Sequence, residues 1–212
     1  VARLAIPISA TAFAESGLFA ASAFMMGWLG KLELAAHGIV LQLAAMSFMV
    51  HMGLSQAGTV RVGQAFARKD WLAVRRTAGV AMGLSSIAAA VAIFFFLATP
   101  QILIGAFLEL RDPLRPEILR IGTLLLVLAS MFQFVDAAQV MALSLLRGLQ
   151  DTRVPMLITV ISYWLIGIPI SYILGFVFDF RGTGIWLGLV VGLAIAALLL
   201  WSRFNLLIRS NQ

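Results

Sequence analysis

The stretch LLLVLASMFQFVDAAQVMALSLL, residues 124–146, contains a single charged residue, Asp136. An α-helix rises about 1.5 Å per residue, so a helix of this length crosses the roughly 30 Å hydrocarbon core of a membrane. Transmembrane β-strands are about ten residues long and alternate between apolar and polar side chains. This stretch does not alternate, and it therefore predicts a membrane-spanning α-helix.

The whole chain has the composition of an integral membrane protein. Of its 212 residues, 62% are hydrophobic and 11% are charged, and its mean hydropathy is +1.02. Soluble domains are about 45–50% apolar and about 25% charged, which excludes an ordinary soluble enzyme, a disordered segment and a coiled coil. Six apolar runs cover residues 4–27, 34–57, 76–99, 118–146, 154–177 and 183–203. We expect an all-α integral membrane fold, a six-transmembrane-helix bundle, in one domain over residues 1–212.

Basic residues lie between the apolar runs and are divided unevenly between the two ends of the predicted bundle. One end, here called the basic end, carries Arg3, Arg61, Arg68, Lys69, Arg75, Arg76, Arg147, Arg153, Arg203 and Arg209. The opposite end carries Lys31, Arg111, Arg115, Arg120 and Arg181. The positive-inside rule places the basic end and both chain termini in the cytoplasm. Membrane topology, rather than a nucleic-acid partner, thus explains the net charge of +6. The segment VRVGQAFARKDWLAVRR, residues 60–76, is expected to form the main cytoplasmic loop.

Small residues and proline predict how the helices pack. Gly184, Gly188 and Gly192 recur every four residues in the last apolar run, and Gly79 and Gly83 do so in the third. Small residues at this spacing allow helix backbones to approach closely. Pro169 lies inside the fifth run and is expected to kink that helix, because proline cannot donate a backbone hydrogen bond.

Motifs of catalytic sites are missing from the sequence. The chain contains no cysteine, which excludes disulfides, thiolate chemistry and cysteine-based metal sites. It also lacks a His-Glu-x-x-His motif and a phosphate-binding glycine loop. We therefore expect a protein that is not an enzyme and that has no resident cofactor.

Two acidic residues lie inside the apolar runs. Glu15 and Asp136 each lie about ten residues from the basic end, or about 15 Å deep, on different helices. A charge at the membrane centre costs roughly 2.5–3.5 kcal/mol on insertion scales, and no basic residue lies at that depth to neutralise them. A shared proton or a bound Na⁺ would compensate two carboxyl groups at this level. The pair therefore predicts a cation or proton site.

An alternative is that each acid is a protonated structural group. It would then be hydrogen-bonded to the backbone or to polar side chains about one helical turn away or less. The candidate partners are Thr11 and Ser16 near Glu15, and Gln133 and Gln139 near Asp136.

Further residues are candidates for lining a cavity beside the two acids. They are Phe19, Phe48, His51, Phe132, Phe134 and Gln139. Aromatic rings would offer flat apolar surfaces and attractive ring faces to a lipophilic cation. His51 faces either this cavity or a neighbouring helix. It lies about 21 Å along the helix from His37, so the two histidines cannot share a metal ion.

Three stretches resemble the second half of multidrug and toxic compound extrusion (MATE) transporters. They are GKLELAAHGIVLQLAAMSFMVHMGLSQAGTVRVG (residues 30–63), DAAQVMALSLLRGLQDTRVPM (residues 136–156) and ISYWLIGIP (residues 161–169). The resemblance covers nearly the whole chain and is strongest for the bacterial NorM-type branch.

This resemblance implies a two-lobe transporter with twelve transmembrane helices, of which this chain would supply helices seven to twelve. Such proteins export lipophilic cationic drugs from bacterial cells across the inner membrane, in antiport with Na⁺ or H⁺. The family's cation-binding acids match Glu15 and Asp136, whereas tyrosines near the cation in relatives match Phe48 and Phe132 here. Because the chain opens on Val1 without an N-terminal lobe, we expect it to be a fragment of a longer polypeptide. The expected partners are therefore cationic small molecules, Na⁺ or H⁺, membrane lipid and that missing lobe.

Two other functions remain open from the sequence. A lipid-linked precursor flippase of related fold would line its cavity with basic residues for a pyrophosphate, whereas the residues at mid-membrane depth here are acidic. A half-length membrane assembly protein without transport activity is the other alternative.

Overall fold

The chain folds into six long helices and one short one in the computed structural model, which describes residues 2–210 and the side chains of residues 5–210. The long helices are α1 (Ala2–Leu29), α2 (Lys31–Ala67), α3 (Trp71–Ala98), α5 (Arg115–Gly148), α6 (Arg153–Val177) and α7 (Arg181–Arg209). The short helix α4 covers Pro100–Gly105. Each long helix is long and apolar enough to span a membrane, and no strand occurs within residues 2–210. The predicted six-helix membrane bundle is confirmed.

The segment 60–76 is mostly helical, so its assignment to a loop was wrong. α2 continues to Ala67 and α3 begins at Trp71, which leaves only residues 68–70 as the connection. Asp70 caps α3, because its Oδ1 accepts a hydrogen bond from the backbone N–H of Ala73 at 2.9 Å. Lys69 turns the chain with a φ of 55°. The charged residues of this segment ended the predicted apolar run, but charged side chains are compatible with a helix, and α2 continues past Gly63 to Ala67.

Helix α5 lies at the centre of the bundle. It packs against α2, α3 and α7, and most of its last three turns is buried. Because neighbouring helices cover most of its circumference, a polar residue on a packed face of its middle is held away from lipid. This position explains how Asp136 is 2% exposed within a helix that crosses the bundle.

Glycines bring α6 and α7 into close contact, as the sequence predicted. A Cβ atom at Gly184 would lie 2.6 Å from the backbone nitrogen of Gly175, and one at Gly192 would lie 2.9 Å from the Cα of Gly167. At Gly188 an added Cβ would overlap Ser171. The corresponding prediction for α3 was wrong, because Gly79 and Gly83 are exposed and have open space beside them. Spacing alone does not show which face of a helix meets a neighbour.

Helix α6 contains two π-helical segments around Pro169. The chain is α-helical over Arg153–Val160, π-helical over Ile161–Gly167, α-helical over Ile168–Tyr172 and π-helical over Ile173–Val177. Pro169 cannot donate a hydrogen bond to the preceding turn, and that turn is widened instead. Such π segments are frequent at functional sites, and this one carries Tyr163 and Trp164.

Two ion pairs fasten α7 near its ends. Arg181 pairs with Glu33 of α2 through Nη2 and also donates from Nε to Glu33 Oε1 at 3.1 Å. Arg203 donates from Nε to Asp151 Oδ2 at 2.9 Å, just beyond α5. These contacts connect one end of α7 to α2 and the other end to the segment that follows α5.

Candidate functional site

Glu15 and Asp136 line one cavity between α1, α2 and α5, with a volume of about 380 Å³. The two carboxyl groups interact electrostatically, as expected if they lie at a similar depth. Ala12, Leu41, Ala44, Ala45 and Met52 supply much of the apolar wall. Among the described side chains, those around the cavity include two acids and no lysine, arginine or histidine. The structure therefore brings the two acids together on one cavity, as the sequence predicted.

Two of the four hydrogen-bond partners proposed for purely structural acids, Thr11 and Gln133, have other hydrogen bonds. Thr11 donates to the backbone oxygen of Pro7 at 2.9 Å, and the Gln133 amide is bonded to Ser47 and His51. Asp136 Oδ2 is buried and has no hydrogen-bond partner within residues 5–210. A buried acceptor without a donor is costly, and a bound cation or a proton would satisfy it.

Arg147 is a basic group that interacts electrostatically with Glu15. It lies in the last turn of α5, three turns beyond Asp136 toward the basic end, and is half-buried. Its guanidinium has no ion-pair partner in the described part of the chain. The sequence showed no basic residue at the depth of the acids. The long side chain of Arg147 nevertheless brings its charge close enough to Glu15 for the two to interact.

Tyr163 is a third polar residue near the acids, which the sequence analysis did not single out. It lies in the first π segment of α6, is 0% exposed, and has a hydroxyl without a hydrogen-bond partner within residues 5–210. It interacts electrostatically with both Glu15 and Asp136. The available signal was the phenolic hydroxyl of Tyr163 inside the apolar run ISYWLIG, six residues before Pro169.

Three of the four predicted cavity phenylalanines line the cavity: Phe19, Phe48 and Phe132. The rings of Phe19 and Phe132 meet edge to face, with centroids 6.0 Å apart. Phe132 is fixed on its other side by Trp186, at a centroid distance of 5.6 Å. Phe134 does not line the cavity and is 55% exposed, which corrects that expectation. Two residues on from Phe132, it lies about 200° around the helix.

His51 and Gln139 do not line the cavity either, in contrast to the expectation for both. His51 is 0% exposed, and its Nδ1 lies 2.9 Å from Ser85 Oγ on α3. Its Nε2 lies 3.3 Å from Gln133 Nε2 on α5. Of the two positions open to it, His51 thus takes the one between helices. Gln139 is 1% exposed, and both of its amide atoms lack partners within residues 5–210.

Helix α1 is held beside α6 at the level of Glu15. The indole nitrogen of Trp164 donates to the backbone oxygen of Ala14 at 3.3 Å. The same indole ring lies over Gly17, where an added Cβ atom would come within 2.5 Å of it. An added side chain at Gly17 would therefore push α1 and the Trp164 ring of α6 apart, two residues beyond Glu15.

Comparisons with known proteins agree with the fold and extend over the site. Residues 7–173 match the family model MatE. A probable multidrug resistance protein NorM of Rhizobium meliloti is 45% identical over 210 residues, which cover 99% of this chain and 45% of that protein. The NorM of Agrobacterium fabrum is 43% identical over 212 residues, covering 100% of this chain and 46% of the relative. The chain thus spans about half the length of the curated relatives it matches.

Solved structures show the same fold at low sequence identity. The crystal structure of the eukaryotic MATE transporter AtDTX14 superposes with a TM-score of 0.85 at 21% identity, over 96% of this chain and 45% of that one. A crystal structure of MATE in the bent conformation gives a TM-score of 0.86 at 14% identity, over 97% of this chain and 44% of that one.

Proposed function

The chain belongs to the MATE family of transporters, and on that premise we propose that it forms the C-terminal six-helix lobe of an antiporter that exports lipophilic cationic drugs in exchange for Na⁺ or H⁺. The observation that carries this proposal is the placing of Glu15 and Asp136 on one apolar cavity that no basic residue of the described chain lines. Such a cavity favours a cation over an anion. A flippase for an anionic pyrophosphate would need the opposite charge.

Drug export is coupled to cation entry because both ligands respond to the same negative charge in this cavity. When Na⁺ or a proton occupies the carboxyl pair, its negative charge is reduced and the arrangement of helices that buries it is favoured. A cationic drug competes for the same negative region or favours a different arrangement. Each ligand then shifts the population toward the state that it binds better, which is sufficient for exchange.

The aromatic wall suits flat hydrophobic cations. Phe19, Phe48 and Phe132 surround the acids with ring faces and edges. Desolvated cation–π contacts contribute about 2 kcal/mol, and they do not require one specific drug shape. Phe48 and Phe132 offer no hydroxyl ligand, so oxygen ligands for Na⁺ would come from the two carboxyl groups and from water or Tyr163.

A second lobe would complete the cavity. The site lies at the α1, α2 and α5 face of the bundle rather than in its centre, and α1 and α2 expose large apolar side chains such as Phe13, Met46 and Met49. We propose that another six-helix lobe covers this face. The excess of basic residues at one end supports a bacterial inner-membrane orientation with both termini in the cytoplasm.

Efflux in living cells tests the proposal. The natural polypeptide that contains this chain would be expressed in bacteria lacking their main drug exporters, and loss of accumulated ethidium would be followed by fluorescence. We expect Glu15→Gln and Asp136→Asn each to abolish efflux without lowering the amount of protein in the membrane. Glu109→Gln, which removes an exposed acid outside the cavity, is the matched control and should retain efflux. Normal efflux in both cavity variants would contradict the assignment.

A further inference from the structure

A second concave surface lies between α3 and α7 at the basic end, away from the cavity with the acids. It has a volume of about 420 Å³ and carries Arg75 on α3 and Arg209 on α7 at its mouth. On each helix, the residues that line this surface are three, four or seven positions apart. This spacing places them on one face of the helix. We call this surface the α3–α7 groove. The proposed drug and cation transport does not use it.

The charge of the α3–α7 groove is entirely positive. Arg75 and Arg209 are exposed, and neither guanidinium has an ion-pair partner within residues 5–210. The other arginines near the ends of α7 differ in this respect, because Arg203 and Arg181 are each paired with an acid. Two unpaired guanidinium groups on opposite walls form a site that favours a phosphate, with which arginine makes bidentate hydrogen bonds.

A third polar side chain, the amide of Asn205, lines the α3–α7 groove beside the two arginines. Asn205 lines the groove one helical turn, or about 6 Å, from Arg209. It is exposed, and its side chain makes no hydrogen bond within residues 5–210. Asn205 lies between Arg203 and Arg209, beyond the apolar run that ends at residue 203. Its amide is therefore at the level of the lipid headgroups, where a phosphate or ester oxygen can accept its hydrogen bond.

The floor of the groove is apolar and rigid. Gly79 and Met82 line it on α3, and Trp201 and Phe204 line it on α7. The Trp201 indole is fixed by donating to the backbone oxygen of Ala138 at 3.0 Å, and its ring meets Phe204 edge to face at 5.6 Å. Exposed Gly79 leaves open space beside α3. A chain of methylene groups fits a floor of this kind, and a hydrated phosphate ion does not.

We infer that the α3–α7 groove binds one anionic glycerophospholipid from the leaflet at the basic end. Its phosphate lies between Arg75 and Arg209, an ester or phosphate oxygen accepts from Asn205, and the start of one acyl chain lies along Gly79, Met82 and Trp201. Basic clefts between membrane helices bind anionic headgroups by the same combination of charge and apolar contact. A free phosphate would gain nothing from the apolar floor.

Native mass spectrometry of the natural polypeptide, released from detergent with added lipid, tests this inference. Phosphatidylglycerol and phosphatidylcholine of identical acyl chains would be titrated separately. We expect one phosphatidylglycerol to bind before any phosphatidylcholine, and Arg75→Gln with Arg209→Gln to weaken its binding by about thirtyfold, since each basic residue contributes about 1 kcal/mol. Arg75→Lys with Arg209→Lys keeps the charge and should retain most of the preference.

The matched control is Arg68→Gln with Arg153→Gln. It removes two exposed arginines from the same end of the bundle but leaves the α3–α7 groove unchanged. Equal losses in the control and groove variants would overturn the inference, because they would show a general effect of charge. Equal affinity for the two lipids would overturn it too, as would displacement of the bound lipid by millimolar inorganic phosphate. A dimer that disappears in the groove variant would instead assign this surface to a second copy of the chain.

Discussion

Tyr163 on α6 and Asp136 on α5 are both buried, and their side chains interact electrostatically. The Tyr163 hydroxyl oxygen and Asp136 Oδ2 each lack a hydrogen-bond partner within residues 5–210. Both atoms therefore retain hydrogen-bonding capacity, and in the proposed cation site they would serve the same small ligand. A tyrosine hydroxyl can donate to a carboxylate and accept from a hydrated cation. We therefore expect the Tyr163 hydroxyl to contribute an oxygen atom to the proposed cation site.

Tyr163→Phe should weaken cation coupling without unfolding the protein. It removes one hydroxyl that has no hydrogen-bond partner within residues 5–210, so the helix packing stays intact, and the loss of one polar contact of about 1 kcal/mol predicts roughly fivefold weaker cation binding. The measurement is the Na⁺ concentration, or the pH, that half-displaces a radiolabelled lipophilic cation. Phe134→Leu, on the exposed side of α5, serves as the control. An unchanged midpoint for Tyr163→Phe would exclude this role.

Arg147→Gln should strengthen cation binding at the acids. Arg147 interacts electrostatically with Glu15 from the basic end of α5, and its positive charge opposes that of an incoming cation. Two unit charges about 10 Å apart at an effective dielectric constant of about 20 repel each other by roughly 1–2 kcal/mol, so we expect an effect of up to about tenfold in affinity. The same displacement assay measures it. Arg147→Lys keeps the charge and should match the wild type, and a weaker affinity in Arg147→Gln would refute this account.

Gly184→Ala should destabilise the packing of α6 on α7. The added Cβ atom would lie 2.6 Å from the backbone nitrogen of Gly175 on α6, so the helices must separate, at a cost of about 1–3 kcal/mol. Gly83→Ala, where nothing lies within 4 Å, is the matched control in an exposed helix position. Thermal unfolding in detergent, followed by tryptophan fluorescence, should show a lower Tm for Gly184→Ala alone. Equal Tm values would contradict the close helix contact.

His51→Leu should lower stability and leave coupling unchanged. It breaks contacts to Ser85 and Gln133 that connect α2 with α3 and α5, and each buried polar group left unpaired costs about 1–3 kcal/mol. The protein should unfold at a lower temperature, while the cation dependence of ligand displacement in the folded fraction stays the same. A shift in that dependence would place His51 in the transport site.

Much of the fold could be predicted because apolar length and membrane thickness determine helix number. The depth of Glu15 and Asp136 followed from the same helical rise, and they share a cavity. The rotation of each helix was not determined, which is why Phe134, Gln139 and His51 were assigned to a cavity that they do not line. Tyr163 was missed because its proximity to the acids depends on the π segment before Pro169, and no periodic pattern encodes that segment.

The most direct test of the central claim is equilibrium competition between a labelled lipophilic cation and Na⁺ or H⁺ on the purified natural polypeptide. Tetraphenylphosphonium would be used as the labelled cation, with NaCl titrated at fixed pH and pH titrated without Na⁺. The account predicts that one of these titrations displaces the label from the wild type. Glu15→Gln and Asp136→Asn should each lose that dependence. Identical displacement curves for the wild type and both variants would contradict a cation site shared by Glu15 and Asp136.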